Sequence, residues 1–318
     1  MGGCWHGSRA LTIAAPSRRP ARNRARAGAG RPVVGTVGHA CAMAENLTLM
    51  AVHAHPDDEA SSTGGVLAKY SAEGVRTVVV TCTNGEFGDT PGGAKPGADG
   101  HDEEHVAQIR LAELRESCKH LGVTDLELLG YHDSGMLEWD YRNRPDAFCN
   151  VPLATVSARI SGLIDRYRPQ VVVSYDENGG YQHPDHVHAA RGAAAAVAGS
   201  GIPAKLYLTA MRISDWAKLW AALRAAGVDV PDGRDVSQET RRQMETAERR
   251  ITTTVDIRPV LSRKRAALLS HASQISDSWF SQIPPDIAEQ VFGQESFIRA
   301  VDRTGAPVPE DDLFAGLR

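Results

Sequence analysis

Two short apolar runs in this 318-residue chain each lead into a cluster of histidines and carboxylates, and that repetition constrains the fold more than any other feature. Leu47 to Val52 runs into His53-Ala54-His55-Pro56-Asp57-Asp58-Glu59, with Gly64-Gly65 just beyond; Gln170 to Tyr175 is followed by His183-Pro184-Asp185-His186-Val187-His188. Short apolar runs of this kind read as buried strands, and open α/β sheets hold their ligands just outside the carboxyl ends of their strands. Two clusters of the same kind, far apart in the chain, predict two strand ends that meet at one site.

The segments between and beyond them support that reading. Residues 60–73 have helical character and stop at Gly74, and Val75 to Thr81 is a β-branched run, which completes a strand–helix–strand unit. Helices are predicted over 104–120, 153–167 and 184–198, and strands over Leu126 to Leu129, Val171 to Ser174 and Lys205 to Thr209. Alternating helices and apolar strands predict an α/β fold, Rossmann-like, with a mostly parallel sheet covered by helices on both faces. Beyond residue 210 the pattern predicts a smaller C-terminal α+β portion: helices at 212–226, 238–249 and 258–271 and a strand at 251–256, with no element assigned past Trp279. Gly85 to Gly100, with six glycines and two prolines, and Gly130 to Asn150 read as long irregular loops of the kind that bind or cover substrates.

Charge divides the chain. Residues 1–42 carry seven arginines and no acid, so a total of −4 leaves −11 on the remainder. An acidic body excludes the basic face that a nucleic-acid binder needs. The first 42 residues, rich in Ala, Arg, Gly and Pro, have too little apolar surface to offset the entropy of ordering and are expected to be disordered. Met43 offers an alternative start that would leave them untranslated, with 43–318 as a single catalytic domain and 210–318 its C-terminal elaboration. Five scattered cysteines with no C-x-x-C pair argue against a disulfide framework and for a reducing cytoplasm. No apolar run approaches the roughly 18 residues that suggest a membrane span. Self-association into a homo-oligomer is compatible with all of this.

A catalytic zinc site commonly takes three ligands from His, Asp or Glu and keeps a fourth position open for water. His53 or His55, Asp57 or Asp58, and His183, His186 or His188 are the available donors, and spacing alone does not choose among them. Adjacent acids at a helix start also serve as simple caps, but capping does not account for two clusters at two strand ends.

The order of motifs resembles a known family: His55-Pro56-Asp57-Asp58-Glu59 with Gly64, Thr81-Cys82-Thr83-Asn84-Gly85-Glu86, Arg110 with Glu113-Leu114, Asp133-Ser134-Gly135-Met136, and Gly179-Gly180-Tyr181-Gln182-His183-Pro184-Asp185-His186. It is similar to the zinc-dependent LmbE-like, or PIG-L, de-N-acetylases, which include the mycothiol-pathway deacetylase and amidase and natural-product sugar deacetylases. The resemblance implies one zinc per chain held by His55, Asp58 and His186, with Asp57 as general base. It also implies His183 as oxyanion stabiliser or proton donor, oriented by Asp185, with Tyr181 adding a hydrogen bond. Arg110, Asp133 and Glu86 match substrate-binding positions, and His271 a pocket wall. The implied substrate is a small N-acylated amino sugar or a mycothiol-like conjugate.

Two departures bear on substrate. Amidases of the family carry a lysine soon after the acidic triplet, where this chain has Ala60-Ser61-Ser62-Thr63, whereas the Trp279-Phe280 region is amidase-like. Two other functions compete. His53-x-His55-x-Asp57 opens like the two-metal metallo-β-lactamase motif, which wants histidine where Asp58 stands; a sugar-binding protein of the same fold without catalysis is the other.

Overall fold

A computed structural model describes residues 47–225, 227, 238–275 and 283–318. Residues 1–42 and the pair Trp279-Phe280 therefore lie outside the described residues. The chain builds β1 (Thr48–His53), α1 (Asp58–Ala72), β2 (Arg76–Thr83), α2 (Glu103–Leu121), β3 (Asp125–Tyr131), α3 (Leu153–Tyr167), β4 (Val171–Ser174) and a short helix α4 (Gly179–Gln182). There follow α5 (Pro184–Gly199), β5 (Lys205–Ala210), α6 (Ile213–Ala225), α7 (Gln238–Arg249), β6 (Thr253–Asp256), α8 (Leu261–Ser270), α9 (Ala272–Ile275), α10 (Pro285–Phe292) and β7 (Gln294–Asp302).

Seven strands form one sheet in the order β3-β2-β1-β4-β5-β7-β6. β1 to β5 run parallel, β7 pairs antiparallel with β5, and β6 antiparallel with β7. The mostly parallel sheet is as expected, but β7 was not. Its sequence, Gln-Glu-Ser-Phe-Ile-Arg-Ala-Val-Asp, alternates poorly, and its strand character comes from having a partner on each side.

Every residue of β1 is buried because both faces of the sheet are covered. Leu49 and Ala51, with Val79, Val171 and Val173, pack toward residues of α1, α2 and α8. Met50 and Val52, with Val78, Val80 and Val172, pack toward α3 and α5. On α3, Val156, Ile160 and Ile164 recur every four residues and form its buried stripe. α2 starts at Asp102, which accepts the His105 N–H at 3.0 Å, and ends at Gly122 with φ +71°.

α1 is tied to the C-terminal portion in an unusual way. The N–H groups of Gly65 and Val66, in mid-helix, donate to the Glu295 carboxylate at 2.7 and 2.8 Å, and the Lys264 ammonium bonds both Glu295, at 2.6 Å, and the carbonyl of Ser61, at 3.0 Å. A Cβ at Gly65 would fall 2.7 Å from Ile257, so only glycine admits this close approach. The helix that opens with Asp58 is thus anchored by β7 and α8.

Candidate active site

β1 and β4 are neighbours, and the strand order reverses between them: β2 and β3 lie to one side, β5 to the other. Chains leaving their carboxyl ends diverge and leave a crevice, the usual ligand position in an open sheet. Both histidine clusters open there.

Donor atoms of three side chains converge. His55 Nδ1 lies 3.2 Å from His186 Nε2 and 3.4 Å from Asp58 Oδ2, and His186 Nε2 lies 3.4 Å from Asp58 Oδ1. An ion bonded tetrahedrally at about 2.0–2.1 Å sets its donors roughly 3.3 Å apart, so this spacing suits a metal. Two other groups among the described residues come within 4.8 Å of one another, His55 with His183 and His186, and His55 with Asp133 and Asp185. The second pair of carboxylates faces the other nitrogen of His55: Asp185 Oδ2 is 3.2 Å, and Asp133 Oδ1 3.6 Å, from Nε2. A carboxylate behind a ligating histidine fixes its tautomer and strengthens it as a donor. The electrostatics call for positive charge here. Burial alone would lower the His55 pKa, but Asp133, Asp185 and Asp58 outweigh it and hold the imidazole well above its usual range. For Asp58, burial is outweighed by His186 and His55, and its carboxyl lies well below its usual value.

The supports of this cluster come from several elements. Tyr175, immediately after β4, donates its hydroxyl to Asp58 Oδ2 at 2.7 Å, accepts the Ala54 N–H at 2.7 Å, and stacks its ring 4.2 Å from that of His186. Sequence reasoning took Tyr175 only as the end of an apolar run; its place one residue past β4, the strand that leads to the second cluster, is the signal that could have marked it. Asp185 accepts the Ser134 N–H at 2.9 Å and the Ser134 hydroxyl as well. Gly179, with φ +62°, lies so close to His186 that a Cβ would fall 2.7 Å from the histidine's own, while its carbonyl meets His186 Nδ1 at 3.2 Å.

Asp57 is held in a strained backbone. It adopts φ 110° at the N-cap of α1, a region that costs a non-glycine residue on the order of 1–3 kcal/mol. Its neighbours over-determine it: its N–H donates to Glu59 Oε2 at 3.0 Å, and Arg110 Nη2 bonds both the preceding carbonyl of Pro56, at 2.6 Å, and the Asp57 carboxylate, at 2.9 Å. About a third of the side chain, 32%, faces open space. Even so, burial and the neighbouring Asp58 push its carboxyl up to about 6, against the pull of Arg110. A carboxylate in that range, beside the donor triad, can take a proton from water near neutral pH.

The remaining predicted residues fall into place unevenly. His183 caps α5, accepting the Asp185 N–H at Nδ1 at 3.2 Å, with its ring 4.5 Å from that of His55. Burial, with His55 and His186 beside it, pushes its pKa down to about 2, so it is a neutral imidazole here. The expected orientation of His183 by Asp185 needs correcting: the Asp185 carboxylate serves His55 and Ser134, and only its backbone N–H reaches His183. Tyr181 is 48% exposed at the rim, its ring centre 5.0 Å from that of His186 in an edge-to-face arrangement. Arg110 is buried and spends its guanidinium on Gly85, Pro56 and Asp57. Glu86 joins Asn84 to the Asp133 N–H, and Asp133 accepts the Gly135 N–H at 2.8 Å. All three therefore shape the site through contacts to both backbone and side chains around it.

His271, at the end of α8, pairs with Glu59 at 2.7 Å; Glu59 also accepts from Ser117, and the Nδ1 of His271 is buried without a partner. His53 bonds Thr63 at 2.8 Å, away from the donor triad, which removes the histidine a two-metal arrangement would need. His188 packs its ring edge against Phe148, 4.9 Å away. Two positions along a helix turn a side chain by roughly 200°, so His186 and His188 face opposite ways, and this was open to inference from spacing.

Comparison with known proteins fits this arrangement. The family model described as PIG-L, GlcNAc-PI de-N-acetylase, matches residues 50–197, a span that includes both histidine clusters. A 1D-myo-inositol 2-acetamido-2-deoxy-alpha-D-glucopyranoside deacetylase of Acidothermus cellulolyticus is 42% identical over 280 residues, covering 85% of this chain and 95% of that protein. The chain belongs to the PIG-L family of de-N-acetylases. A mycothiol S-conjugate amidase of Streptomyces coelicolor is 35% identical, covering 87% of this chain and 99% of the relative. Among solved structures, the N,N'-diacetylchitobiose deacetylase of Pyrococcus horikoshii superposes with a TM-score of 0.52 at 19% identity, covering 79% of this chain and 83% of the other. The 4-carboxy-2-hydroxymuconate hydratase GalB of Pseudomonas putida superposes at 0.55 and 19% identity, covering 82% and 99%. At these identities the structures show the PIG-L fold alone, and that a hydratase shares it means the chemistry must be argued from the site. No described helix is long and apolar enough to cross a membrane.

Proposed function

We propose that this PIG-L protein is a zinc-dependent amidohydrolase that removes the acyl group from an N-acylated amino sugar, with an N-acetylglucosaminyl-inositol or a mycothiol-like conjugate as the substrate class. The reading is carried by one observation: His55, Asp58 and His186, with nitrogen and carboxylate oxygen atoms 3.2–3.4 Å from one another, stand beside an Asp57 in strained backbone whose pKa is raised. The names of the two relatives, a deacetylase and an amidase, support the substrate class.

In this reading His55, Asp58 and His186 hold one zinc, oriented by Asp185 behind His55 and Tyr175 behind Asp58 and His186. When bound, zinc polarises the acyl carbonyl and lowers the pKa of water to about 7. Asp57 takes the proton from the attacking water, and Arg110 fixes the carboxylate for that transfer. The neutral His183 donates a hydrogen bond to the oxygen on which charge develops. Tyr181, at the rim, adds a second. The proton collected by Asp57 passes to the departing amine, so the C–N bond breaks and a carboxylic acid and an amino sugar leave. Asp133 and Glu86 shape the wall on the β2–β3 side where the sugar sits. The catalytic domain is residues 43–318, with 210–318 its elaboration, and it works in the cytoplasm.

The test is amine release by the purified, zinc-loaded chain from a panel of N-acetylglucosaminyl-inositol, mycothiol conjugates and N-acetylated antibiotic sugars, with zinc content measured alongside. About one zinc per chain and release from at least one substrate are expected. Two zinc per chain, or no release from any, overturns the reading.

A further inference from the structure

Where α8 gives way to α9, His271, Ser273 and Gln274 each reach a different support of Asp57. His271 Nε2 donates to Glu59 Oε1 at 2.7 Å, an oxygen that also accepts the Ser117 hydroxyl, and the other oxygen, Oε2, accepts the Asp57 N–H at 3.0 Å. Ser273 donates its N–H at 2.7 Å and its hydroxyl at 2.6 Å to Glu113, which stands about one turn beyond Arg110 on α2. Gln274 accepts the Asp89 N–H at 3.2 Å and donates to the Asp89 carbonyl at 3.0 Å, clasping the glycine-rich loop as a neighbouring backbone would. The loop comes so close that a Cβ at Gly88 would fall 2.7 Å from the Gln274 side chain and 2.8 Å from that of Arg110.

Glu59 is the member of this set that packing does not explain. It is fully buried, as are Ser117 and His271, and an apolar side chain in its place would spare α1 the desolvation of a carboxylate. What the carboxylate supplies is an acceptor for the backbone of Asp57. The left-handed backbone at φ 110° and a charge-assisted hydrogen bond are energies of the same order, so loss of this one bond lets the backbone relax. We propose that Glu59 is a positioning residue for the general base: it holds Asp57 in its left-handed backbone through the N–H, and His271, 212 positions away in the chain, fixes Glu59 for that task. Arg110 grips the carboxylate of Asp57 and Glu59 its N–H, and the two together aim the side chain. The inference rests on Asp57 being the base, as in the amidohydrolase reading above. The C-terminal portion thereby sets the geometry of a base that belongs to α1, and a misplacement of about 1 Å costs on the order of 10²-fold in rate.

The experiment compares the zinc-loaded full chain with Glu59→Met, Glu59→Gln, His271→Phe and Glu295→Gln, measuring zinc content, the thermal transition, and kcat and KM on N-acetylglucosaminyl-inositol, with a crystal structure of each variant to report the Asp57 backbone. Glu59→Met should lower kcat about 10²-fold, with KM within about two-fold and zinc near one per chain, and Asp57 should leave the left-handed region. His271→Phe should lower kcat about ten-fold. Glu59→Gln keeps an oxygen for the Asp57 N–H while its amide turns to His271, which then accepts at Nε2, so kcat should recover to within about ten-fold of the wild type. Glu295→Gln weakens the other tie between α1 and the C-terminal portion, and it should lower the thermal transition with kcat unchanged. A fall in kcat in Glu295→Gln as large as that in His271→Phe reduces the pair to an anchor and overturns the proposal, as does an Asp57 that stays left-handed in Glu59→Met. If Glu59→Met does not fold, His271→Phe, which leaves Glu59 in place, decides by the same readouts. Absence of amine release by the wild type from every substrate removes the amidohydrolase reading, and the Asp57 backbone in the variants then decides by itself whether Glu59 positions it.

Discussion

Two clusters of buried charge lie at opposite edges of the sheet, and they are built differently. At the amino-terminal edge, Glu310 accepts from Lys205 at 2.5 Å, Arg299 at 2.8 Å, Tyr207 at 2.8 Å and Thr253 at 2.9 Å, so one carboxylate meets two cations and two hydroxyls. At the carboxyl-terminal edge, Asp58, Asp133 and Asp185 surround His55 with no lysine or arginine, among the described residues, in contact with the donor triad. The first cluster is internally balanced and ties residues after β7 to β5 and β6. The second has donors in excess and suits a divalent cation. A buried polar cluster that satisfies itself acts on stability, whereas one that needs a ligand acts on function.

Four changes test that contrast. His186→Ala should have the largest effect, with zinc content falling from about one per chain to near zero and amine release lost, while the thermal transition of the metal-free protein stays within a few degrees. Asp57→Asn should retain zinc and lower kcat by about 10²–10⁴, the usual share of a general base. Equal zinc loss in the two variants would show that Asp57 is a ligand and the base has been misassigned.

Lys205→Met addresses the opposite edge. Stranding the buried Glu310 should cost about 3–5 kcal/mol in urea unfolding, with zinc content unchanged; a loss of zinc instead would mean the edges are coupled. The pH dependence has a definite sign. Burial would raise the Glu310 pKa, but Lys205, Tyr207 and Thr253 outweigh it and lower it below the ordinary value. The stability this contributes is present above about pH 4.3 and is lost as pH falls through the lower native value. The gap between the wild type and Lys205→Met should therefore narrow in that range, and a gap that widens there contradicts the assignment. Tyr175→Phe should be the mildest, weakening zinc binding about 10–100-fold through Asp58 while leaving the fold intact. Unchanged zinc affinity would reduce Tyr175 to a packing residue.

Much of the fold was legible because local signals agreed with the tertiary result. β-branched runs became β2 and β4, the helix expected over 153–167 became α3, and the break at Gly74 fell just past the end of α1. β7 was not legible because its pairing, rather than its pattern, makes it a strand. Within the site, residue types and the family's motif order pointed to His55, Asp58, His186 and Asp57. Their supports were hidden, since nothing near Glu59 in the chain reveals that His271 will pair with it, or near Gly65 that Glu295 will receive its N–H.

By itself the sequence determined the alternation of strands and helices, the two clusters at strand ends and the family to which they belong, because hydrophobic period and ligand type are properties of neighbouring residues. Only the tertiary structure decided which nitrogen of His55 faces the donors, that Asp185 supports His55, and that Tyr175 bonds Asp58. Those depend on distances between residues more than a hundred positions apart, which are set by strand order and helix packing and leave no trace in local composition.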